Sequence, residues 1–192
     1  MLNVSTDWKN AFSGAFAGIM VLRNVINPPQ NTALLQKKRE IEANLRHTFV
    51  DRESLTGYEP LQAYANYYKR YKKTYHVLQQ MESVIFKHKE ITSSSAIVEA
   101  MYMAELKNSI LTAGHDILTI QPPLFLHLAK GDERYTGISG KDQNTKAGDM
   151  MISDRQGILS SIICGPDYRT RVTPQTTIVL FAAYAPPGIQ KE

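Results

Sequence analysis

Residues 165–176 read GPDYRTRVTPQT, and Asp167, Arg169, Arg171, Thr173 and Thr176 crowd into that one short loop. Guanidiniums, a carboxylate and hydroxyls at this density can bind an anion, hold a carbonyl or place a water. Loops on rigid scaffolds are where such sites are built. The plainer alternative is a polar connection whose Asp–Arg pair keeps its shape. A second group is His115-Asp116, directly after Gly114. Such a pair can exchange protons, or it can cap a helix and turn the chain, which is the reading its position favours. A third group is Lys69, Arg70, Lys72 and Lys73, interleaved with tyrosines at 64, 67, 68, 71 and 75. Bases stack on aromatic faces and phosphates seek Lys and Arg, so this could be a nucleic-acid surface. Tyrosines stepping by three or four more commonly face a core, with the lysines on the wet side.

Other chemistries have little support. No HExxH, CxxC or GxSxG occurs, and the five histidines form no close pair on one helical face. Neither a metal site nor a Ser or Cys hydrolase triad is therefore expected. The glycines of AKGDERYTGISGK match neither a dinucleotide fingerprint nor a phosphate loop, and no cofactor is expected. The lone Cys164 excludes an intramolecular disulfide and fits a reducing compartment. No apolar run is long enough to span a membrane and the start carries no secretion signal, so the cytoplasm is the expected location. With 43% apolar and 21% charged residues and a net charge of +4, the chain reads as a globular domain with a mild bias towards polyanions.

The positioning elements follow from periodicity. Residues 15–26 form an apolar, β-branched run that Pro28 and Pro29 stop, hence a strand. Thr32 is the expected N-cap of a helix to about Phe49, and residues 51–57 look like a linker. One long helix is expected from Glu59 to about Phe86. A second runs to about Thr112, with Ile97, Met101, Ala104, Asn108 and Leu111 inward. Asn108 would then need a hydrogen-bonding partner, with Glu105 close by. Strands are expected at 124–129, 150–153, 158–163 and 177–184, with a short turn at 154–157. The tail from Pro186 reads as loose. A single domain over 1–192 is expected.

The segments AELKNSILTAGHD, AKGDERYTGISGK, GDMMISDRQG and SIICGPDYRTRVTPQTTIVLF, in that order, resemble a known domain. It is the B3/B4 tRNA-binding and editing region of the phenylalanyl-tRNA synthetase β subunit. The likeness covers about residues 58–187, leaving 1–55 as an N-terminal strand–helix extension. Free-standing proteins carrying this domain resemble nearly the whole chain, including YYKRYKKTYHVLQQMESVIFK. Asn108 matches the family's helix Asn, Glu105 stands where the family has Asp, and Asp116 matches the turn Asp. His115 lies near the pocket His, at a different spacing. Gly140 resembles the Gly of a Leu-Asp-Gly segment here reading Ile138-Ser139-Gly140. Gly165 and Asp167 fit the Gly-rich loop and its acidic residue, and Val172 and Thr176 keep a Val-x-x-x-Thr spacing.

The resemblance implies an α+β fold with mixed or antiparallel sheets packed with helices. It also implies an RNA-binding protein, with tRNA as partner and possible hydrolysis of mischarged aminoacyl-tRNA in trans, but no ligase activity. His115, Asp167 and Thr176 would be catalytic. Glu105, Asn108, Glu133, Gly140, Gly165, Arg169, Arg171 and Thr173 would bind substrate, and Lys69, Arg70, Lys72 and Lys73 would bind the nucleic acid. An acidic residue accepting a tyrosine hydroxyl would discriminate sharply against ligands lacking it, with Asp167, Glu133 and Glu105 as candidates. Two alternatives stand beside this reading: a non-catalytic DNA- or RNA-binding module, and a pocket for a free aromatic amino acid or other small molecule.

Overall fold

The computed structural model describes residues 2–92 and 94–190. In chain order the elements are β1 (Leu2–Val4), α1 (Thr6–Ala11), β2 (Phe16–Arg23), α2 (Thr32–Thr48), α3 (Arg52–Thr56), α4 (Glu59–Lys69), α5 (His76–Ile85) and α6 (Ala96–Asn108). Then follow β3 (Leu111–Asp116), β4 (Leu124–Leu128), β5 (Arg134–Thr136), β6 (Asp142–Asn144), β7 (Met150–Ser153), β8 (Ile158–Ser161), β9 (Gly165–Pro166) and β10 (Ile178–Ala185).

The fold is α+β, as expected. A five-stranded sheet runs β1-β4-β7-β8-β9, parallel only where β1 meets β4, and a three-stranded antiparallel sheet runs β2-β10-β3. β1 and β2 take edge positions in the two sheets, so residues before position 55 contribute to both. The β7–β8 turn forms because the Asp154 carboxylate accepts from the backbone N–H of Gln156 and Gly157, both at 2.9 Å.

Several sequence expectations need correction. The helix expected from Glu59 to Phe86 is two helices, broken where Lys72 takes a left-handed φ of 55°. The break lets Tyr75 stack on Tyr64, with ring centroids 4.8 Å apart and planes at 13°. Tyr64, Tyr67, Tyr68 and Tyr75 are core residues, none more than 3% exposed. Residues 51–57 are no linker: Asp51 and Ser54 close a capping box over α3, and Leu55 is fully buried. The cap of α2 is Asn31, whose side chain accepts from Ala33 N, rather than Thr32. The tail is not loose as far as it is described, since Ile189 is buried.

The largest departure concerns α6. It ends at Asn108 with left-handed Ser109, and Leu111 to Asp116 are strand, so His115-Asp116 does not follow a helix end. Asp116 does cap the short 3-10 turn Ile117–Thr119, accepting from Leu118 N at 3.0 Å. The buried residues of α6 are Ala96, Ile97, Met103, Glu105 and Leu106, whereas Ala104 and Asn108 are exposed. Apolar residues ring this helix on all sides, so their spacing cannot select the inward face.

The start of α6 is tied down from afar. Asn27 Oδ1 accepts from Ile97 N at 2.9 Å, and its Nδ2 donates to the Thr173 carbonyl at 2.9 Å. Asn27→Ala leaves both groups without this partner, so a loss of about 1–3 kcal/mol is expected in urea unfolding. An unchanged midpoint would show that the tie contributes nothing.

Candidate active-site cavity

A cavity of about 400 Å³ lies between α6, the two larger sheets and the loop after β9. Its walls include Met101 and Glu105 from α6, Thr112 and Gly114 from β3, Ser160 from β8, Gly165 from β9, Tyr184 from β10, and Ile138 and Arg171 from loops. A cavity of about 830 Å³ near Asn108 and Lys107 is larger, and an apolar groove of about 420 Å³ lies along β2 and α6. The smaller cavity between the sheets is the chemical candidate, because buried ionisable groups converge at its wall.

Glu105 is the acid among them. Its Oε1 accepts from Thr112 N at 3.0 Å, and burial pushes its pKa up to about 7 against the lowering effect of that bond. His115, fully buried on β3, is held down to about 4 by burial and then by the Arg169 charge. Its Nδ1 lies 2.7 Å from Thr170 Oγ1 and its Nε2 3.3 Å from Ser160 Oγ. Ser160 Oγ is in turn 2.5 Å from the Tyr184 hydroxyl. Behind the imidazole, Asp167 accepts from the Thr170 hydroxyl and backbone N–H. Burial raises the Asp167 pKa, countered by those Thr170 bonds and then by the Arg169 charge. An imidazole that stays neutral at pH 7 beside a hydroxyl can accept a proton, and a near-neutral carboxyl can exchange one or accept a ligand hydroxyl.

The proposed site residues scatter accordingly. Glu105, Gly165 and Arg171 line the cavity, while His115 stands at its wall through Ser160 and Asp167 one step behind. Arg171 stacks on Tyr168 at 3.6 Å and donates to the Tyr168 carbonyl. Arg169 instead grips the buried Asp154 with two N–H groups, at 3.1 and 3.0 Å, and the Thr119 carbonyl at 2.8 Å. Thr176 donates to Asp116 Oδ2 at 2.8 Å and accepts from Thr173 N, so the Thr173–Thr176 pair braces the loop. Asn108 is exposed and donates to the Ala104 carbonyl of its own helix.

Glu133 gathers the Lys130 and Gly131 N–H groups and the Thr145 hydroxyl. Burial would raise its pKa, but these donors outweigh it and hold it at about 2. Gly140 sits exposed in the β5–β6 turn, at φ 77°. Lys69, Arg70, Lys72 and Lys73 are exposed on the turn between α4 and α5, with Arg70 over the Phe12 ring at 5.1 Å. That turn leads straight into His76, which lines the cavity. Burial raises the Cys164 thiol, while the Ser161 hydroxyl and the nearby Lys146 and Lys73 ammoniums lower it.

Ser160, Thr170 and Tyr184 were missed from sequence. A Ser160-Ser161 pair inside an otherwise apolar strand was the readable signal, since buried hydroxyls need partners. Among the described residues no group of three or more His, Cys, Asp or Glu is arranged to hold a metal, and no helix is long and apolar enough to cross a membrane.

Fold and cavity together define an α+β protein with a partly open pocket lined by polar and apolar groups. The chain belongs to the B3/4 domain family, whose profile matches residues 61–192. Among solved structures it is similar to an N-terminal fragment of the phenylalanyl-tRNA synthetase β subunit from Pyrococcus horikoshii, at 11% identity and a TM-score of 0.48. That likeness covers 96% of this chain and 42% of the fragment, so the chain spans less than half of its length. No protein of curated function matches the sequence.

Proposed function

We propose that this chain binds the aminoacylated end of a tRNA in the cytoplasm, places the acyl side chain in the cavity, and hydrolyses the ester. The observation that carries this reading is that Glu105 and the Ser160–His115 pair meet at one cavity of about 400 Å³, roomy enough for an aromatic side chain. Glu105 is the one of the three candidate acids that lines it, and a carboxylate there accepts a tyrosine hydroxyl. Membership of the B3/4 family supports the choice of tRNA, since its synthetase relatives bind and edit tRNA. The exposed Lys69, Lys72 and Lys73, on the segment that leads into the cavity-lining His76, provide for phosphates.

The test is deacylation of tyrosyl-, phenylalanyl- and alanyl-tRNA by the full chain, with tRNA affinity measured from low to physiological salt. Tyrosyl-tRNA is expected to lose its amino acid fastest, and affinity is expected to fall steeply with salt and with Lys72→Glu/Lys73→Glu. No turnover above buffer would remove the hydrolase reading. Salt-independent binding would remove the basic turn as the contact. Tight binding of free tyrosine with no tRNA affinity would favour the small-molecule alternative.

A further inference from the structure

The reading above places the Ser160–His115 pair at the cavity but assigns the Ser160 hydroxyl no chemical step. Ser160 Oγ has two partners, His115 Nε2 at 3.3 Å and the Tyr184 hydroxyl at 2.5 Å. Counting donors and acceptors gives one assignment that leaves no buried group of this relay unpaired, with the Ser160 carbonyl at 3.4 Å as a second acceptor within reach of Tyr184. Asp167 is surrounded by donors: the Thr170 N–H and O–H, and Arg169 Nε at 3.6 Å. It therefore acts as an ionised acceptor.

Thr170 Oγ1, having given its proton to Asp167, must accept from His115. The ring proton thus sits on Nδ1, and Nε2 is left with a lone pair. His115 is wholly buried, so that lone pair needs a donor, and Ser160 supplies it. Tyr184 then donates to Ser160 Oγ. The reverse assignment, Ser160 donating to Tyr184, would leave Nε2 without that donor inside the protein. The result is a directed relay in which a serine gives its proton to an imidazole whose far side is oriented through a hydroxyl to a carboxylate. The arrangement follows the logic of serine hydrolases without their sequence motif.

We infer that Ser160 is the nucleophile of this site, with His115 as its base and the Thr170–Asp167 pair positioning the imidazole. The inference rests on the reading of the cavity as an acyl-group site. Ser160 Oγ bonds to the ester carbonyl carbon as its proton passes to His115 Nε2. The tetrahedral adduct expels the ribose oxygen, which takes that proton back, leaving an aminoacyl ester on Ser160. Water then attacks this ester and delivers a proton to His115. His115 returns a proton to Ser160 Oγ as the free amino acid leaves. Arg171 also lines the cavity, its guanidinium held on the Tyr168 ring and carbonyl.

Two measurements on the full chain test this. The first treats the protein with a fluorophosphonate probe and maps the adduct by peptide mass spectrometry. The second quenches a single turnover of tyrosyl-tRNA in acid and looks for a tyrosyl group on the protein. Both adducts are expected on Ser160. Ser160→Ala is expected to lose them and to deacylate at least about a hundredfold more slowly. Thr170→Ser is expected to keep the labelling rate and Thr170→Val to lose it, a difference that a merely structural role would not make. Wild-type-rate deacylation by Ser160→Ala, or an active wild type that forms neither adduct, would overturn the nucleophile while the deacylase reading stands. Labelling of Ser160 in a protein that turns over no aminoacyl-tRNA would instead overturn the proposed substrate.

Discussion

Replacing Glu105 by Gln is expected to make the protein more stable at pH 8 and less able to select tyrosine. Glu105 has a folded pKa of about 7 against an ordinary 4.5, because burial penalises its charged form. A carboxyl whose folded pKa is raised carries no penalty below its unfolded pKa. It loses stability as pH climbs from 4.5 to 7, and carries the whole penalty above that. The difference corresponds to about 3 kcal/mol at pH 8. Gln has no proton to lose, and its Oε1 can keep the bond to Thr112 N. Glu105→Gln should therefore raise Tm by roughly 6–10 °C at pH 8 and hardly at all at pH 4. If Glu105 accepts a tyrosine hydroxyl, the same change should reduce the preference for tyrosyl- over phenylalanyl-tRNA by more than tenfold. A higher Tm with unaltered selectivity would leave Glu105 as a buried acid with no part in recognition.

Tyr67→Phe should act in the opposite direction and with a different dependence on pH. The Tyr67 hydroxyl donates to Asp149 Oδ1 at 2.6 Å and accepts from Met150 N at 2.7 Å, all in the interior. Asp149 also takes the Ile163 N–H at 3.0 Å, so one carboxylate joins α4, the start of β7 and the turn after β8. Burial raises its pKa to about 6, outweighing the Tyr67 and Ile163 bonds that favour the charge. At pH 8 the variant must bury a carboxylate that has lost a donor and a backbone N–H that has lost its acceptor. A loss of about 3–4 kcal/mol is expected. At pH 5 the folded Asp149 is protonated, so the loss should shrink to about 1–2 kcal/mol. Denaturant unfolding at the two pH values checks this. An equal loss at both would mean that the Asp149 charge is not what Tyr67 supports.

Both effects come from the tyrosines and acids that join the α4–α6 helices to the sheets, and those contacts could not be read along the chain. The α4–α5 stripe was legible as aromatic periodicity, yet the same spacing fits a buried face or a stacking platform. What decides it is packing: Tyr64 donates to the Tyr184 carbonyl and accepts from Leu111 N, at the junction with β10 and β3. A residue in that position faces no solvent. The lysines between these tyrosines remain outside, where they were expected.

Sequence alone located β2, β4, β7, β8 and β10, because their apolar runs end at Gly, Pro and Asp turns whose geometry is local, but not β1, β3, β5, β6 or β9. It also determined the α+β class, and it pointed to the family through the order of short segments. Sequence could not determine which polar residues meet. Asp167, Arg169 and Thr176 share one loop, yet the first backs His115, the second grips Asp154 and the third braces Asp116. Neighbours in a loop point in different directions, and each takes the nearest buried partner available. Ser160 and His115 are 45 positions apart and meet because β8 and β3, in separate sheets, come together at the cavity wall. Asn108 left the site because α6 is apolar on every side, so only its contacts with the neighbouring elements set its rotation. The tertiary structure therefore decided the chemistry of the cavity. Local propensity is written into a few adjacent residues, whereas a polar site depends on desolvation and pairing between distant ones.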